Sequence, residues 1–234
     1  MGINGTAVVG FNGTGKAVKD LSRFSTKVQD IFGEYVGEVN LNLGCGRNPE
    51  PGFINVDRVS PNSDVVAWDL EMPPCPPLAP DSAEPWLGGY KRQRRESVDC
   101  VLASHVLEHI VNIIPLMREI HRVLKPGGYL LACTPYASSD DAVEDPTHVR
   151  YFTERSWYYF DRRLYEKDGH AGAYASPVDF CFDVVAVHLV PYPEVQEAAA
   201  QRAHRGDFTA LDTWKRNNRN VIKEMIAILR KVEG

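Results

Sequence analysis

Val39-Asn40-Leu41-Asn42-Leu43-Gly44-Cys45-Gly46, followed seven residues later by Ile54-Asn55-Val56-Asp57, restricts the fold of this chain more than any other stretch. It reads as a buried strand, a glycine turn and a second strand ending in a carboxylate. Leu41 and Leu43 belong to an apolar run, as a parallel strand covered on both faces requires. Gly44 and Gly46 lack the Cβ atoms that would keep the backbone from a tight turn or from close approach to a ligand. Asp57, at the carboxyl end of the second strand, is placed to accept hydrogen bonds from ribose hydroxyls. Together they point to a nucleoside cofactor. A dinucleotide fold would need a third glycine, and Arg47-Asn48-Pro49 stands there instead. Eleven positions separate Gly46 from Asp57, against roughly 20 in that fold. Residues 47–53 are also too few for a crossover helix of about a dozen residues, so the usual first helix is expected to shrink to a turn.

The rest of the chain supports a strand–helix alternation. Strands are expected at 39–43, 53–57, 64–68, 98–103, 129–134 and 180–190, and helices at 21–35, 106–124, 153–162 and 211–232. Glu108 and His109 fall at the start of the second of these helices, where the helix dipole favours Glu108. Between 71 and 97, Pro73, Pro74, Pro76, Pro77, Pro80 and Pro85 exclude helix and interior strand, and the basic run Lys91-Arg92-Gln93-Arg94-Arg95 follows. That interval reads as a surface excursion. The expectation is one domain over 1–234: a lead-in and helix over 1–37, a cofactor-binding core over 38–160, and C-terminal strands and helix over 161–234. Its class is α/β, a parallel sheet with helices on both faces.

Composition narrows the partners. A net charge of −5 gives no global signal for nucleic acid. The five cysteines contain no C-x-x-C pair, which argues against structural zinc and a disulfide framework; metal binding by His105, Asp145 and His148 is geometrically conceivable, but nothing in the spacing demands it and no metal is expected. No apolar run reaches the roughly 18 residues of a membrane span, and no signal-peptide pattern opens the chain. A cytoplasmic protein without membrane contact is the expectation. Gly10-Phe11-Asn12-Gly13-Thr14-Gly15-Lys16 begins like a phosphate loop, but Ala17 replaces the Ser/Thr that would hold magnesium.

Leu43-Gly44-Cys45-Gly46, Asp57, Asp69-Leu70, Ser104-His105-Val106-Leu107-Glu108-His109 and Glu119-Ile120-His121-Arg122-Val123-Leu124-Lys125-Pro126-Gly127-Gly128 occur in a fixed order. Over residues 38–160 the series resembles the class I S-adenosylmethionine-dependent methyltransferases, in their broad small-molecule-type subgroup. The resemblance implies a Rossmann-like doubly wound, mostly parallel seven-stranded α/β sheet with helices on both faces, and S-adenosylmethionine as cofactor. It implies that the Gly44-Cys45-Gly46 backbone faces the methionine moiety, that Asp57 binds the ribose, and that Asp69 meets the adenine amino group with Leu70 beside the ring. Ser104 and His105 would line the pocket near the reactive methyl. Asn42 stands where an acidic residue is common, so its contact to the methionine ammonium would be weaker or made through water.

Methyl transfer from a sulfonium is an in-line displacement in which positioning supplies much of the effect, and a general base near neutral pKa assists an oxygen or nitrogen nucleophile. His105, at the carboxyl edge of the fourth strand, is the first candidate for the reacting groups. The second is Asp145-Pro146-Thr147-His148-Val149-Arg150, a candidate lid in which Asp145 would orient His148 as base and Arg150 would meet an anionic group; the same residues could equally build a hydrogen-bonded turn. The favoured acceptor is an oxygen or nitrogen of a small molecule or saccharide. The alternatives are a nucleic-acid methyltransferase using Lys91 to Arg95 and the C-terminal Lys215, Arg216 and Arg219 on phosphates, and a non-catalytic cofactor-binding protein.

Overall fold

The computed structural model describes residues 9–12, 35–60, 64–78, 83–85, 91–163, 178–198, 201 and 208–232. The helix expected at 21–35 lies outside them, apart from Tyr35. Ten strands are present among these residues: β1 (Val9–Asn12), β2 (Asn40–Leu43), β3 (Ile54–Asp57), β4 (Val65–Ala67), β5 (Ala83–Pro85), β6 (Lys91–Gln93), β7 (Val98–Ser104), β8 (Leu124–Pro135), β9 (Cys181–Pro191) and β10 (Ile222–Val232). Three α-helices accompany them: α1 (Ile113–Val123), α2 (Asp140–Glu144) and α3 (Phe208–Asn217).

Eight strands form one sheet in the order β1-β9-β10-β8-β7-β2-β3-β4, and β5 and β6 make a separate hairpin. β4, β3, β2, β7 and β8 are mutually parallel. β10 runs antiparallel to both of its neighbours, β8 and β9. This is the doubly wound α/β sheet expected, with β1 added antiparallel to β9 as an eighth strand on the outer edge. The chain steps outward from β2 to β3 to β4 and then returns to the other side of β2 as β7. A topological switch point therefore opens between the carboxyl ends of β2 and β7, where ligands bind in sheets of this kind.

Alternation along β7 sorts side chains into two layers. Val101 and Ala103 join the large cluster with Leu41, Leu43, Val56 and the α1 residues Leu116, Met117 and Ile120. Cys100 and Leu102 face the other side with Leu131 and Ile228, where Tyr35 and Phe53 pack against them. The five cysteines are buried free thiols, behaving as small hydrophobes in these layers. No described helix is long and apolar enough to cross a membrane.

Three expectations are corrected. The first concerns 211–232, read as one helix: it splits into α3, ending at Asn217, and the strand β10. Asn220 in a left-handed conformation (φ 56°) turns the chain between them. In Ile222 to Val232 the apolar residues satisfy a helical spacing and a two-sided buried strand alike, and the open ladder between β8 and β9 decides the outcome. Secondly, the helix expected at 106–124 is a single 3₁₀ turn, Leu107–His109, followed by α1. Pro115 lies in the first turn of α1, where no amide partner is needed. The helix start is capped from outside, the Glu71 carboxylate accepting the Val111 and Asn112 amides (2.9 Å at Asn112).

The third concerns the 71–97 surface excursion, whose basic run Lys91–Gln93 is strand β6 of a hairpin anchored to α1. Arg122, only 9% exposed, donates to Glu119 through Nε (2.8 Å) and Nη2 (2.7 Å), to Glu84 of β5 (2.8 Å) and to the Gln93 carbonyl of β6 (2.7 Å). Glu119 in turn accepts the Cys75 amide at 2.8 Å. The 3₁₀ helix Glu154–Phe160 occupies the expected 153–162 segment, with Thr153 and Ser156 forming a reciprocal cap.

Candidate functional site

The link from β2 to β3 is a turn without a helix. Gly44 and Gly46 both take positive φ, 62° and 53°. A Cβ on Gly44 would lie 2.5 Å from Val106 Cγ2, so the turn is pressed against the segment leaving β7. A Cβ on Gly46 would meet nothing within 4 Å: there the backbone borders open space at the switch point. The Gly46 amide donates to Asp57 Oδ2 at 2.8 Å, and Asp57 Oδ1 accepts the Val59 amide at 3.3 Å. The half-buried carboxylate thus spans the mouths of β2 and β3. Cys45 is buried, its amide on the Val56 carbonyl at 3.0 Å. Burial, with the charge of Asp57 behind it, pushes its thiol up from the ordinary range.

Asn42 is buried, and its Nδ2 donates to Asn55 Oδ1 at 2.9 Å. Asn55 is held in turn by the Glu50 amide at 2.8 Å. The Asn42 amide nitrogen therefore secures the floor of the turn. Beyond β4, Asp69 is half-buried and accepts the Glu71 amide at 3.1 Å, while Leu70 packs into the main core. Because Glu71 caps α1, the Asp69-Leu70 turn is fixed relative to the segment carrying the next group of residues.

That group begins at Ser104, the half-buried last residue of β7, paired with Cys133 of β8. His105 follows with φ 51° and its amide on the Cys133 carbonyl at 2.9 Å. Its side chain is half-exposed. Nε2 lies 3.1 Å from Glu224 Oε2 on β10 and 3.6 Å from Cys133 Sγ, and Nδ1 lies 3.5 Å from Glu108 Oε1. The Cys133 sulfur, Glu108 and Glu224 raise the imidazole pKa above its ordinary value. Burial raises the Cys133 thiol above its ordinary range, so the two carboxylates are what hold the imidazolium. At the carboxyl edge of the sheet His105 thus faces a carboxylate on either side of its ring.

The candidate lid is stitched to the turn after β7. The Val149 and Arg150 amides donate to the Glu108 carbonyl at 2.9 and 3.2 Å. Arg150, expected to meet an anion, instead donates its Nε to the Ile110 carbonyl at 2.7 Å and its Nη2 to the Val111 carbonyl. Asp145 and His148 stand 3.8 Å apart, a separation too long for the orienting hydrogen bond expected of them. Asp145 Oδ1 is spent on the Thr147 amide and hydroxyl (2.8 and 2.6 Å), and the His148 ring is oriented by donating Nδ1 to the Ala142 carbonyl at 3.0 Å. Glu224 escaped the sequence reading because it lay on an expected helix; its alternation within Ile222 to Val232 was the available signal. Glu71 and Cys133 carried none beyond their local runs.

A family model described as a methyltransferase domain matches residues 30–169. Among curated proteins, the uncharacterized 37.1 kDa protein in transposon TN4556 of Streptomyces fradiae is 29% identical over 127 residues. That match takes in 51% of this chain and 36% of the relative, so the chain spans about a third of that relative's length. Among solved structures, a SAM-dependent methyltransferase from Archaeoglobus fulgidus is 17% identical, covering 87% of this chain and 91% of its own, at TM-score 0.46. The 1,6-didemethyltoxoflavin-N1-methyltransferase of Burkholderia thailandensis, with bound 1,6-didemethyltoxoflavin and S-adenosylhomocysteine, is 16% identical, covering 83% and 71%, at TM-score 0.44.

Proposed function

Because this chain belongs to the methyltransferase-domain family, we propose that it transfers the methyl group of S-adenosylmethionine to an oxygen or nitrogen of a small molecule or saccharide. The observation that carries the reading is the open space at Gly46 beside the Asp57 carboxylate, at the switch point of the sheet. A backbone without Cβ and a carboxylate bridging two strand ends suit the methionine and ribose parts of a nucleoside sulfonium. When bound, S-adenosylmethionine supplies an electrophilic methyl on a good leaving group.

The residues of the chain divide the remaining work. Gly44 to Gly46 would border the methionine moiety, with Asn42 supporting them from below, and Asp57 would hold the ribose hydroxyls. Asp69 and Leu70, held in place by Glu71, would flank the adenine. Ser104 and His105 face the acceptor side. There His105, fixed by Glu108 and Glu224, would orient the acceptor in line by donating a hydrogen bond. His148 and Asp145 contribute through the segment that closes over the turn after β7.

Calorimetric titration with S-adenosylmethionine and S-adenosylhomocysteine tests the reading. Single-site binding of both is expected, with Asp57→Asn weakening it by about 10- to 100-fold, the scale of losing a charge-assisted hydrogen bond. Absence of binding to the folded chain would overturn the proposal.

A further inference from the structure

We propose that Glu108, His109 and His148 form a binding site for a divalent transition-metal ion of the zinc type. One carboxylate oxygen of Glu108 and one ring nitrogen from each histidine lie within 4.8 Å of one another. The two rings meet edge to face, with centroids 4.7 Å apart. Glu108 is the decisive member. Its side chain is 2% exposed, and among the described residues neither carboxylate oxygen has a hydrogen-bond partner. A buried carboxylate without such partners is costly. His105 offers a charge at 3.5 Å from one oxygen and leaves the other unserved.

The histidines are prepared as ligands by what holds their other nitrogens. His148 Nδ1 faces the Ala142 carbonyl at 3.0 Å, and a carbonyl can only accept, so Nδ1 carries the proton. Thr147 Oγ1 donates to Asp145 at 2.6 Å and stands 2.9 Å from His109 Nδ1. With its own hydrogen spent, the hydroxyl accepts from His109. In the neutral ring that arrangement leaves the Nε2 lone pair of each free for a metal, the tautomer being set by a neighbouring carbonyl or hydroxyl, as is usual for metal-bound imidazole. Asp145, with Oδ2 3.8 Å from His148 Nε2, adds negative charge at the rim.

Two imidazoles and one carboxylate suit zinc and its neighbours better than calcium or magnesium, which take oxygen ligands. Ligand bonds of about 2.0–2.1 Å in a tetrahedral site put donor atoms about 3.3 Å apart, so the three groups need close by about 1.5 Å at most. Three protein ligands leave a fourth position for water or another oxygen. The bound ion would join the Leu107–His109 turn to the 145–149 segment.

The test uses the full chain, stripped with chelator and titrated with Co²⁺ alone, followed by absorption and calorimetry, then displaced with Zn²⁺. One ion per chain is expected, with visible ligand-field bands and no sulfur-to-metal charge-transfer band. His109→Ala and His148→Ala should each weaken binding at least about tenfold, and Thr147→Val by about tenfold as a second-layer effect. Cys133→Ser should change nothing. Should a histidine variant fail to fold, Co²⁺ added to the wild-type chain should shift two exchangeable imidazole N–H resonances. Absence of saturable binding, persistence in both folded histidine variants, or fewer than two shifted resonances would overturn the proposal. A charge-transfer band lost in Cys133→Ser would also overturn it, placing the ion among His105, Cys133 and Glu224 instead.

Discussion

Gly44 and Gly46 share a left-handed backbone but not a neighbourhood, and substituting each with alanine separates conformational cost from crowding. For Gly46→Ala the new Cβ meets nothing within 4 Å, so only the left-handed strain remains, about 1 kcal/mol. For Gly44→Ala the Cβ would lie 2.5 Å from Val106 Cγ2 and 2.9 Å from Val106 Cβ. That adds an overpacking cost of about 1–3 kcal/mol, for a total loss of about 3 kcal/mol. Urea denaturation at constant m-value reads both directly. Val106→Ala removes the nearer clash and keeps the 2.9 Å one. The Gly44→Ala/Val106→Ala pair should therefore be less destabilised than the sum of the singles by at least about 1 kcal/mol. Ligand affinity should show the reverse ranking relative to stability: Gly46→Ala, nearly as stable as wild type, should lose about tenfold or more in S-adenosylmethionine affinity as its methyl enters the cofactor space. Equal destabilisation by the two substitutions, or strict additivity with Val106→Ala, would refute the packing argument. Wild-type affinity in Gly46→Ala would refute the placement of the cofactor.

Other outcomes follow from buried charge. Arg122→Ala should cost about 3–5 kcal/mol, because it strands the buried Glu119, and trypsin should then cut at Lys91 and Arg92 of β6; a resistant β6 would show that the anchor lies elsewhere. Burial lowers the pKa of His188 from 6.5 to about 4. The unfolded chain therefore binds the proton first as pH falls below 6.5, and stability declines toward pH 4 by about 3 kcal/mol. His188→Leu should flatten that limb of the stability–pH curve measured by denaturant titration; an unchanged slope would contradict the assignment. Neutralising Lys91, Arg94 and Arg95 should leave S-adenosylmethionine affinity unchanged, since they lie on and beyond the β6 hairpin; a calorimetric loss of more than about tenfold would tie that hairpin to the cofactor.

The parallel half of the sheet was legible because its signals are local: apolar runs at β2, β3 and β7, and glycines where the backbone must turn left-handed. The short path from Gly46 to Asp57 also announced a turn in place of a helix. What could not be read depended on distant partners. Glu71 caps a helix 40 positions further on, and Arg122 fixes a proline-rich segment that composition alone marks as loose. Ile222 to Val232 became a strand because β8 and β9 left a ladder open between them. At the candidate site, His105 and His148 were visible as residue types suited to chemistry. The partner that fixes His105 from across the sheet was not, because Glu224 lies 119 positions away on β10.

The position of β10 has a consequence for how the chain is made. It fills the gap between β8 and β9, so ribosomal synthesis delivers a central strand of the sheet after both of its neighbours. Until residue 232 has emerged, β8 and β9 each present an unpaired edge, the surface on which nascent chains associate wrongly. The parallel half can assemble first, with the glycine turn already formed, while Glu224 has yet to reach His105. The Gly46–Asp57 side of the switch point can thus form before the His105–Glu224 side, and adding β10 is the step that joins them.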